Sequence, residues 1–415
     1  MPNLDPVSPL LKLHAFTGYG IELEYMIVDR DTLAAMPLAD RLLTDTDGAV
    51  ANEVDHGELA WSNELVQHVV ELKTNGPANS LIGLGPRFHR DIVEINDRLL
   101  AHNARLLPTA MHPLFDPDRE TRLWPFGQND IYEAYDRIFG CRGHGWSNLQ
   151  SMHINLPFYD DEEFRRLHAA IRPVLALIPA LAAASPLEQG RRSAWLDGRL
   201  RYYRDNQKAI PEISGLVIPE PVEGIADYHA RILKPMYAAI RPHDPTGILV
   251  DDWLNSRGAI ARFERQTIEI RVIDLQECPN ADLAIAEVVV ALVQAFHDGK
   301  LASFEAQQQM PTQILAEQLW ACARHGSQAL VESEHLLRLF GKRSPLSAGE
   351  LWRQLLKETL SVSPAAHAML DQITTRGSLA ESIAQRLGPA PKPAQIRACY
   401  EELAECLSAN RLFHS

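Results

Sequence analysis

The 415-residue chain has few cysteines, and none are close together. Cys141, Cys278, Cys322, Cys399 and Cys406 form no Cys-x-x-Cys pair, which excludes a zinc ribbon and a dithiol redox motif. Cys399 and Cys406, seven apart in a helix-like segment, read as small core residues, and all five are expected to be reduced thiols. Positive charge is also scarce. With 40 Lys and Arg against 54 Asp and Glu the net charge is −14, which argues against a general nucleic-acid binder. No run approaches the roughly 18 apolar residues of a membrane span, and MPNLDPVSPLLKLHAF at the start lacks the basic and apolar parts of a secretion signal. The chain is therefore expected to be cytoplasmic, with no nucleic-acid or membrane partner. The glycine cradles of nucleotide sites are missing too. Gly341-Lys342 lacks the upstream glycine of a P-loop, and no G-x-G-x-x-G opens a helix. The nucleophile elbow G-x-S-x-G is absent. Any nucleotide would have to be held by metals and arginines.

What is present is an alternating strand that carries two polar groups two residues apart, written three times. Glu22 and Glu24 stand in GIELEYMIV, His153 and Asn155 in SMHINLPF, Glu269 and Arg271 in TIEIRVID. On a strand, residues i and i+2 point to the same side. The residues between them are apolar (Ile21, Leu23, Tyr25; Met152, Ile154, Leu156; Ile268, Ile270, Val272), so each polar pair faces away from the core. A single such strand is what any half-exposed antiparallel sheet presents. Here the polar face turns apolar again at Met26 and Val28, and at Ile273, as expected of a partly covered cavity. Carboxylates facing a covered space are costly unless paired or metal-bound. Three such faces can line one site for metal ions and for the phosphates they hold.

Residues 17–75 read as strands and turns. Helix is expected over 78–107, where Leu81, Leu84, Phe88, Ile92, Ile95 and Leu99 recur at three- and four-residue spacing. A Pro- and Gly-rich loop from Pro108 to Gly127 precedes a short helix around Asp130 to Phe139. Residues 160–184 are helical, bent or divided at Pro173 and Pro179. Residues 185–250, with Arg191, Arg192, Arg199, Arg201, Arg204, Tyr202 and Tyr203, read as a long irregular region, either of the kind that closes over a site or a solvated surface excursion. After the third polar strand, at 266–274, a buried helix starts at Asp282, and the remainder is nearly all helical. The order lacks the βαβ rhythm of a parallel sheet, so the fold class is α+β, an antiparallel sheet with helices on one face.

Glutamate-rich ligation without a Cys or His cluster points to a hard cation, Mg²⁺ or Mn²⁺. NELVQHVVELKT adds Glu64 and Glu71, but seven residues apart on a regular strand they would not share a face unless a bend or bulge intervened. Glu53 and Glu58 are weaker candidates. Arg271 beside Glu269 reads either as a phosphate clamp next to a metal ligand or as an ordinary ion pair. Arg257, Arg262 and Arg265 could extend a phosphate-binding surface.

In order, GIELEYMIVD, ELVQHVVELKT, SMHINLPF and IEIRVIDLQECPNADLAI resemble the motifs of the glutamate–cysteine ligase family 2, carboxylate–amine ligases of the glutamine synthetase-like superfamily, over residues 17–295. The resemblance implies a curved antiparallel sheet forming a funnel framed by helices, with ATP and Mg²⁺ at one end and substrates entering at the other. It implies a ligase catalytic domain over 1–299 and a helical C-terminal region over 300–415 packed on it. Glu22, Glu24, Glu64 and Glu71 would then be metal ligands, His153 a ligand of the metal nearer the nucleotide, and Glu269 a bridge between metals. Arg271 would contact the transferring phosphate and Asn155 would line the same face; Arg262 and Arg265, from their place just before that strand, are further candidates for holding the nucleotide. The implied reaction phosphorylates a carboxylate, usually the γ-carboxylate of glutamate, and an amine or amino acid then displaces the phosphate to form an amide. The region from SPLEQGRRSAW to Val250 aligns loosely, so cysteine is not assumed as the amine, and a homo-oligomer is compatible with these motifs. A phosphotransferase on the same scaffold, or a binding protein that retains the fold, are the alternatives.

Overall fold

The computed structural model describes residues 12–45, 47–127 and 129–414; the stretch read for a secretion signal lies for the most part, at residues 1–11, outside them. The strands of the main sheet are β1 Gly20–Asp29, β2 Glu53–His56, β3 Leu59–Asn63, β4 Val69–Thr74, β5 Ala104–Leu107, β6 Ser151–Pro157, β9 Ala259–Arg262 and β10 Thr267–Asp274, while β7 Leu187–Glu188 and β8 Arg191–Arg192 form a separate hairpin. The sheet is open and antiparallel in the order β2-β3-β4-β1-β6-β10-β9, with β5 paired to β1.

Alternation dictates what each face meets. Ile21, Leu23, Tyr25 and Ile27 of β1 and Ile154 and Leu156 of β6 join one core with helices α1 Leu84–Leu99, α3 Asp161–Leu175 and α7 Pro279–His297. Between the first two lies α2 Asn129–Phe139. Helix α3 starts where Asp160 accepts the Glu163 amide, and the acidic first turn Asp161–Glu163 suits the positive end of the helix. Pro173 lies inside α3, the chain breaks at Ala176 and Leu177, and α4 Ile178–Ala182 resumes with Pro179 in its first turn, so this stretch is divided as expected.

The polar face of β1 becomes apolar at Met26 and Val28 because the C-terminal helices cover it. Leu379 and Ile383 of α8 Leu379–Leu387 and Ile396, Tyr400 and Leu403 of α9 Pro393–Ala409 pack on Met26, Val28 and Leu107 as a second core. Residues beyond 300 also share the first core. Trp352 is fully buried there and its indole N–H donates to the Leu177 carbonyl at 3.0 Å.

Several local expectations need correction. The helix expected over 78–107 ends at Leu99, a 3₁₀ turn and Asn103 at φ +53° stop it, and 104–107 is β5, because Ala104 to Leu107 can pair with the end of β1. ELVQHVVELKT is not one strand, since Glu64 to His68 form a turn between β3 and β4. The region 185–250 is less irregular than its prolines imply, holding the β7–β8 hairpin, α5 Gly198–Asp205 and α6 Lys234–Ile240. Helix α7 begins at Pro279, a residue suited to a first turn, and the Asp282 carboxylate accepts the Gln276 amide at 2.9 Å. With 19 residues it is, by length and composition alone, the one helix among the described residues able to cross a membrane, contrary to expectation. In the fold it is a core helix, 78% buried.

His168 lies in that core against Phe164 and Tyr228 with neither ring nitrogen hydrogen-bonded, and burial pushes it down to about 3. The folded chain therefore leaves this ring neutral at pH values where the unfolded chain protonates it, below about 6.5. Its contribution to stability is complete above that pH and is lost as pH falls toward 3. His168→Phe is expected to remove this loss. Relative to wild type the variant should gain about 1.4 kcal/mol per pH unit on acidification below pH 6, read from urea midpoints at a series of pH values. Parallel pH profiles would contradict a neutral buried ring.

Candidate active site

Strand register assembles the site. Glu22 of β1 stands opposite His153 of β6 and Lys73 of β4, Glu24 opposite Glu71, and Glu269 of β10 opposite Asn155. All face away from the main core. His153 Nδ1 lies 2.9 Å from Glu22 and 3.9 Å from Glu269, and its Nε2 lies 3.7 Å from Glu24. Asn155 donates its amide to Glu22 at 3.0 Å, while the backbone N–H and hydroxyl of Ser151 hold Glu24 at 2.7 and 3.0 Å. Ser62 donates to Glu71 at 2.5 Å. Among the described residues two groups offer ligand atoms all within 4.8 Å of one another: Glu22, His153 and Glu269, and Glu24, Glu71 and His153.

The turn between β3 and β4 supplies the bend that the sequence left open. It places Glu64 at the edge of this cluster, half-buried, in the field of Glu24, Glu71 and Glu22. Burial and these charges push Glu64 well above the carboxylate range, and burial with Glu22 pushes Glu71 up to about 7. Burial would also raise Glu22, but the hydrogen bond and charge of His153, with Arg265 and Lys73, hold it well below the usual range. For His153 burial opposes protonation, and the bond to Glu22 with the charges of Glu24, Glu22 and Glu269 outweighs it and raises the ring. In the two ligand groups four carboxylates, Glu22, Glu24, Glu71 and Glu269, surround a single imidazole. An oxygen-rich set with one imidazole fits a hard divalent cation.

The third polar strand does not alternate regularly. Pairing runs from Ile270↔Ile154 to Ile273↔Met152, so two residues on β10, Arg271 and Val272, oppose one on β6, His153, and form a bulge. Ile273 therefore returns to the core face with Met152, and its expected place beside Arg271 is corrected. Arg271 lies with Nε 2.9 Å from Glu269 and donates from Nη1 to the Asn255 carbonyl at 3.3 Å, its side chain 22% exposed. From behind, Arg199 of α5 donates to the Arg271 carbonyl at 3.3 Å and to Asp274 at 2.5 Å in a buried ion pair. That ion pair links α5 to the bulged strand.

The other arginines differ in availability. Arg262 bridges Asp252 at 3.2 Å and Glu269 at 3.1 Å, so Glu269 sits between two guanidiniums. Arg257 is engaged by Glu220 at 2.6 and 2.8 Å and does not extend the surface as expected. Arg265 is half exposed, 3.7 Å from Glu22, at the wall of a cavity of about 360 Å³. Leu13, Tyr19, Pro77 and Pro157 line this cavity, and Glu22 and Asn155 lie where it meets the cluster. Glu58 is turned away, paired with Arg87 at 2.7 Å.

Lys73, Ser62 and Ser151 were missed in the sequence. Lys73 has a signal: Glu71 and Lys73 repeat the i, i+2 grammar in a fourth strand, β4, which the uninterrupted look of ELVQHVVELKT obscures. The two serines had none, since only the register shows what they touch.

The sequence profile described as glutamate–cysteine ligase family 2 matches residues 19–386. An uncharacterized protein of Archaeoglobus fulgidus is 34% identical over 397 residues, covering 95% of this chain and 99% of its own. A Streptomyces avermitilis protein provisionally named glutamate–cysteine ligase 2-1 is 26% identical over 312 residues, covering 74% and 77%. Among solved structures, the glutamate–cysteine ligase of Francisella tularensis, in complex with AMP, superimposes with a TM-score of 0.60 at 13% identity, over 96% of this chain and 90% of that one. A bifunctional glutathione synthetase of Pasteurella multocida gives the same TM-score at 15% identity, and the match spans 95% of this chain and 53% of that one. These two share the fold, an open antiparallel sheet framed by helices. With the profile spanning most of its length, the chain belongs to the glutamate–cysteine ligase family 2.

Proposed function

We propose that the protein is an ATP- and Mg²⁺-dependent ligase that joins a small carboxylic acid, glutamate through its γ-carboxylate, to an amine or amino acid by way of an acyl phosphate. The observation that carries this is the pair of ligand clusters sharing His153, with Arg271 beside Glu269 and a cavity against Glu22. The family supports a carboxylate–amine ligase, and the AMP in the Francisella enzyme supports a nucleotide in the same fold.

Glu22, Glu24, Glu71, His153 and Glu269, with Glu64 at the edge, are the residues that would hold Mg²⁺ or Mn²⁺. When bound, such cations neutralise phosphate charge and orient the triphosphate. The chain's own groups do the rest. Asn155 and Ser151 fix the orientation of the Glu22 and Glu24 carboxylates, and the bulge aims Arg271 across the carboxylate face. A carboxylate oxygen of the acid attacks the γ-phosphorus and ADP leaves. The amine then attacks the acyl carbon, phosphate leaves, and the nitrogen gives up a proton. Arg271, already desolvated, is the donor suited to the charge on the transferring phosphoryl group.

The test is ADP release from ATP and Mg²⁺ with L-glutamate against a panel of amines and amino acids, with mass detection of products. Amine-dependent ADP together with a new amide is the expected result. ADP with a phosphorylated acid and no amide would make the protein a phosphotransferase, and no ADP with any pair would leave a binding protein of this fold.

A further inference from the structure

We infer that Lys73 binds the β- and γ-phosphates of the nucleotide, as a cation on the β4 wall facing Arg265 on the β9–β10 side. The inference rests on the ligase reading in taking that nucleotide to be ATP.

In register Lys73 is the cross-strand neighbour of Glu22, so its ammonium lies on the carboxylate face and not in the core. It is largely buried, 17% exposed, with Nζ 2.7 Å from Glu53 and 3.2 Å from Glu71. The two partners are unequal. Glu71 belongs to a group of side chains that could hold a cation, and a divalent ion there would take up its charge. The remaining direct ion pair of Lys73 is then with Glu53, a half-exposed carboxylate on β2, and an ion pair of that kind contributes little. An ammonium so released lies within the lining of the 360 Å³ cavity that also holds Arg265, Glu22 and Asn155.

The floor of that cavity is shaped for close approach. A Cβ on Gly20 would lie 2.9 Å from the Asn155 Cβ, so only glycine leaves the strand surface flat there. The volume is in the range of small-molecule sites, and its apolar rim, with Tyr19, Pro77 and Pro157, suits an aromatic base. Two cations, one on each side of Glu22, suit a chain of phosphates between them. Lysine is a compact point charge on a flexible stem, fitted to follow a phosphate as it is transferred, whereas Arg265 is a planar fork.

The experiment is titration of the full-length protein with ATP and, separately, AMP, in the presence of Mg²⁺, by calorimetry. Lys73→Met is expected to weaken ATP binding about ten-fold or more and AMP binding less than about two-fold, because AMP lacks the phosphates the ammonium would meet. Lys73→Arg should recover part of the loss, and its thermal unfolding guards against a folding defect. Glu53→Gln, which removes the competing carboxylate, should leave ATP binding unchanged or tighten it. Equal weakening by Lys73→Met and Glu53→Gln would mean that the ion pair only braces β2 against β4, and would overturn the inference. So would wild-type affinity for ATP in Lys73→Met. If wild-type protein binds no ATP at all, the ligase reading fails and the inference with it.

Discussion

Glu269→Gln is expected to lower ATP turnover by about three orders of magnitude while the protein still folds at 25 °C. Glu269 is 1% exposed, lies between Arg262 and Arg271, and shares a ligand cluster with Glu22 and His153. The amide keeps the shape and removes the charge. In the proposed mechanism Glu269 would serve both a cation and the arginine that meets the phosphate, and losing one such transition-state contact costs about 10² to 10³ in rate. The substitution also leaves two guanidiniums facing a neutral group, a defect of about 3 kcal/mol or more, so a lower Tm is expected as well. Mg²⁺ separates the two effects. Wild-type protein should gain Tm on adding Mg²⁺, because ligands that bind the folded state stabilise it, and the variant should gain little. Full turnover in Glu269→Gln would make Glu269 a structural counter-ion and sink the cation-site assignment.

Arg271→Lys should reduce kcat about 10²-fold or more with a smaller change in KM for ATP. The guanidinium reaches Glu269 and the Asn255 carbonyl at once from a bulged position, its backbone N–H bonded to Gly258 and its carbonyl to Arg199. A lysine can place one charge near Glu269 but cannot present several fixed donors in a plane. The loss is expected on kcat because, in the proposed mechanism, Arg271 would meet the transferring phosphoryl group and act most strongly where charge develops. Steady-state kinetics with saturating acid and amine checks it. An unchanged kcat would assign Arg271 to a structural ion pair that steadies the bulge.

Much of this site was visible in the sequence, for a simple reason. Glu22 and Glu24, or His153 and Asn155, are two apart on strands that alternate without interruption, so a period of two is enough to place both side chains on one face. What failed was any inference that ran across an irregularity. Alternation puts Ile273 on the polar face, since nothing in TIEIRVID announces a bulge, which is a property of pairing between β10 and β6. Whether Glu64 and Glu71 share a face stays open in the sequence, because no glycine, proline or asparagine in ELVQHVVELKT marks the turn at 64–68. Arg257 looked available because Glu220, 37 positions earlier, gives no sign that it will reach it.

The sequence by itself determined the alternating polar strands, the hard-cation character of their side chains, the mixed α and β composition and the likeness to a ligase family. Each is local chemistry or pattern, carried by neighbouring residues. Tertiary structure decided which faces meet, that a turn and β4 bring Glu64, Glu71 and Lys73 to the cluster, that the C-terminal helices close the apolar end of β1, and which cations are engaged by carboxylates and which line the cavity. Those depend on register and on contacts between residues far apart in the chain, and register is set by the whole sheet settling against its core, not by any one strand.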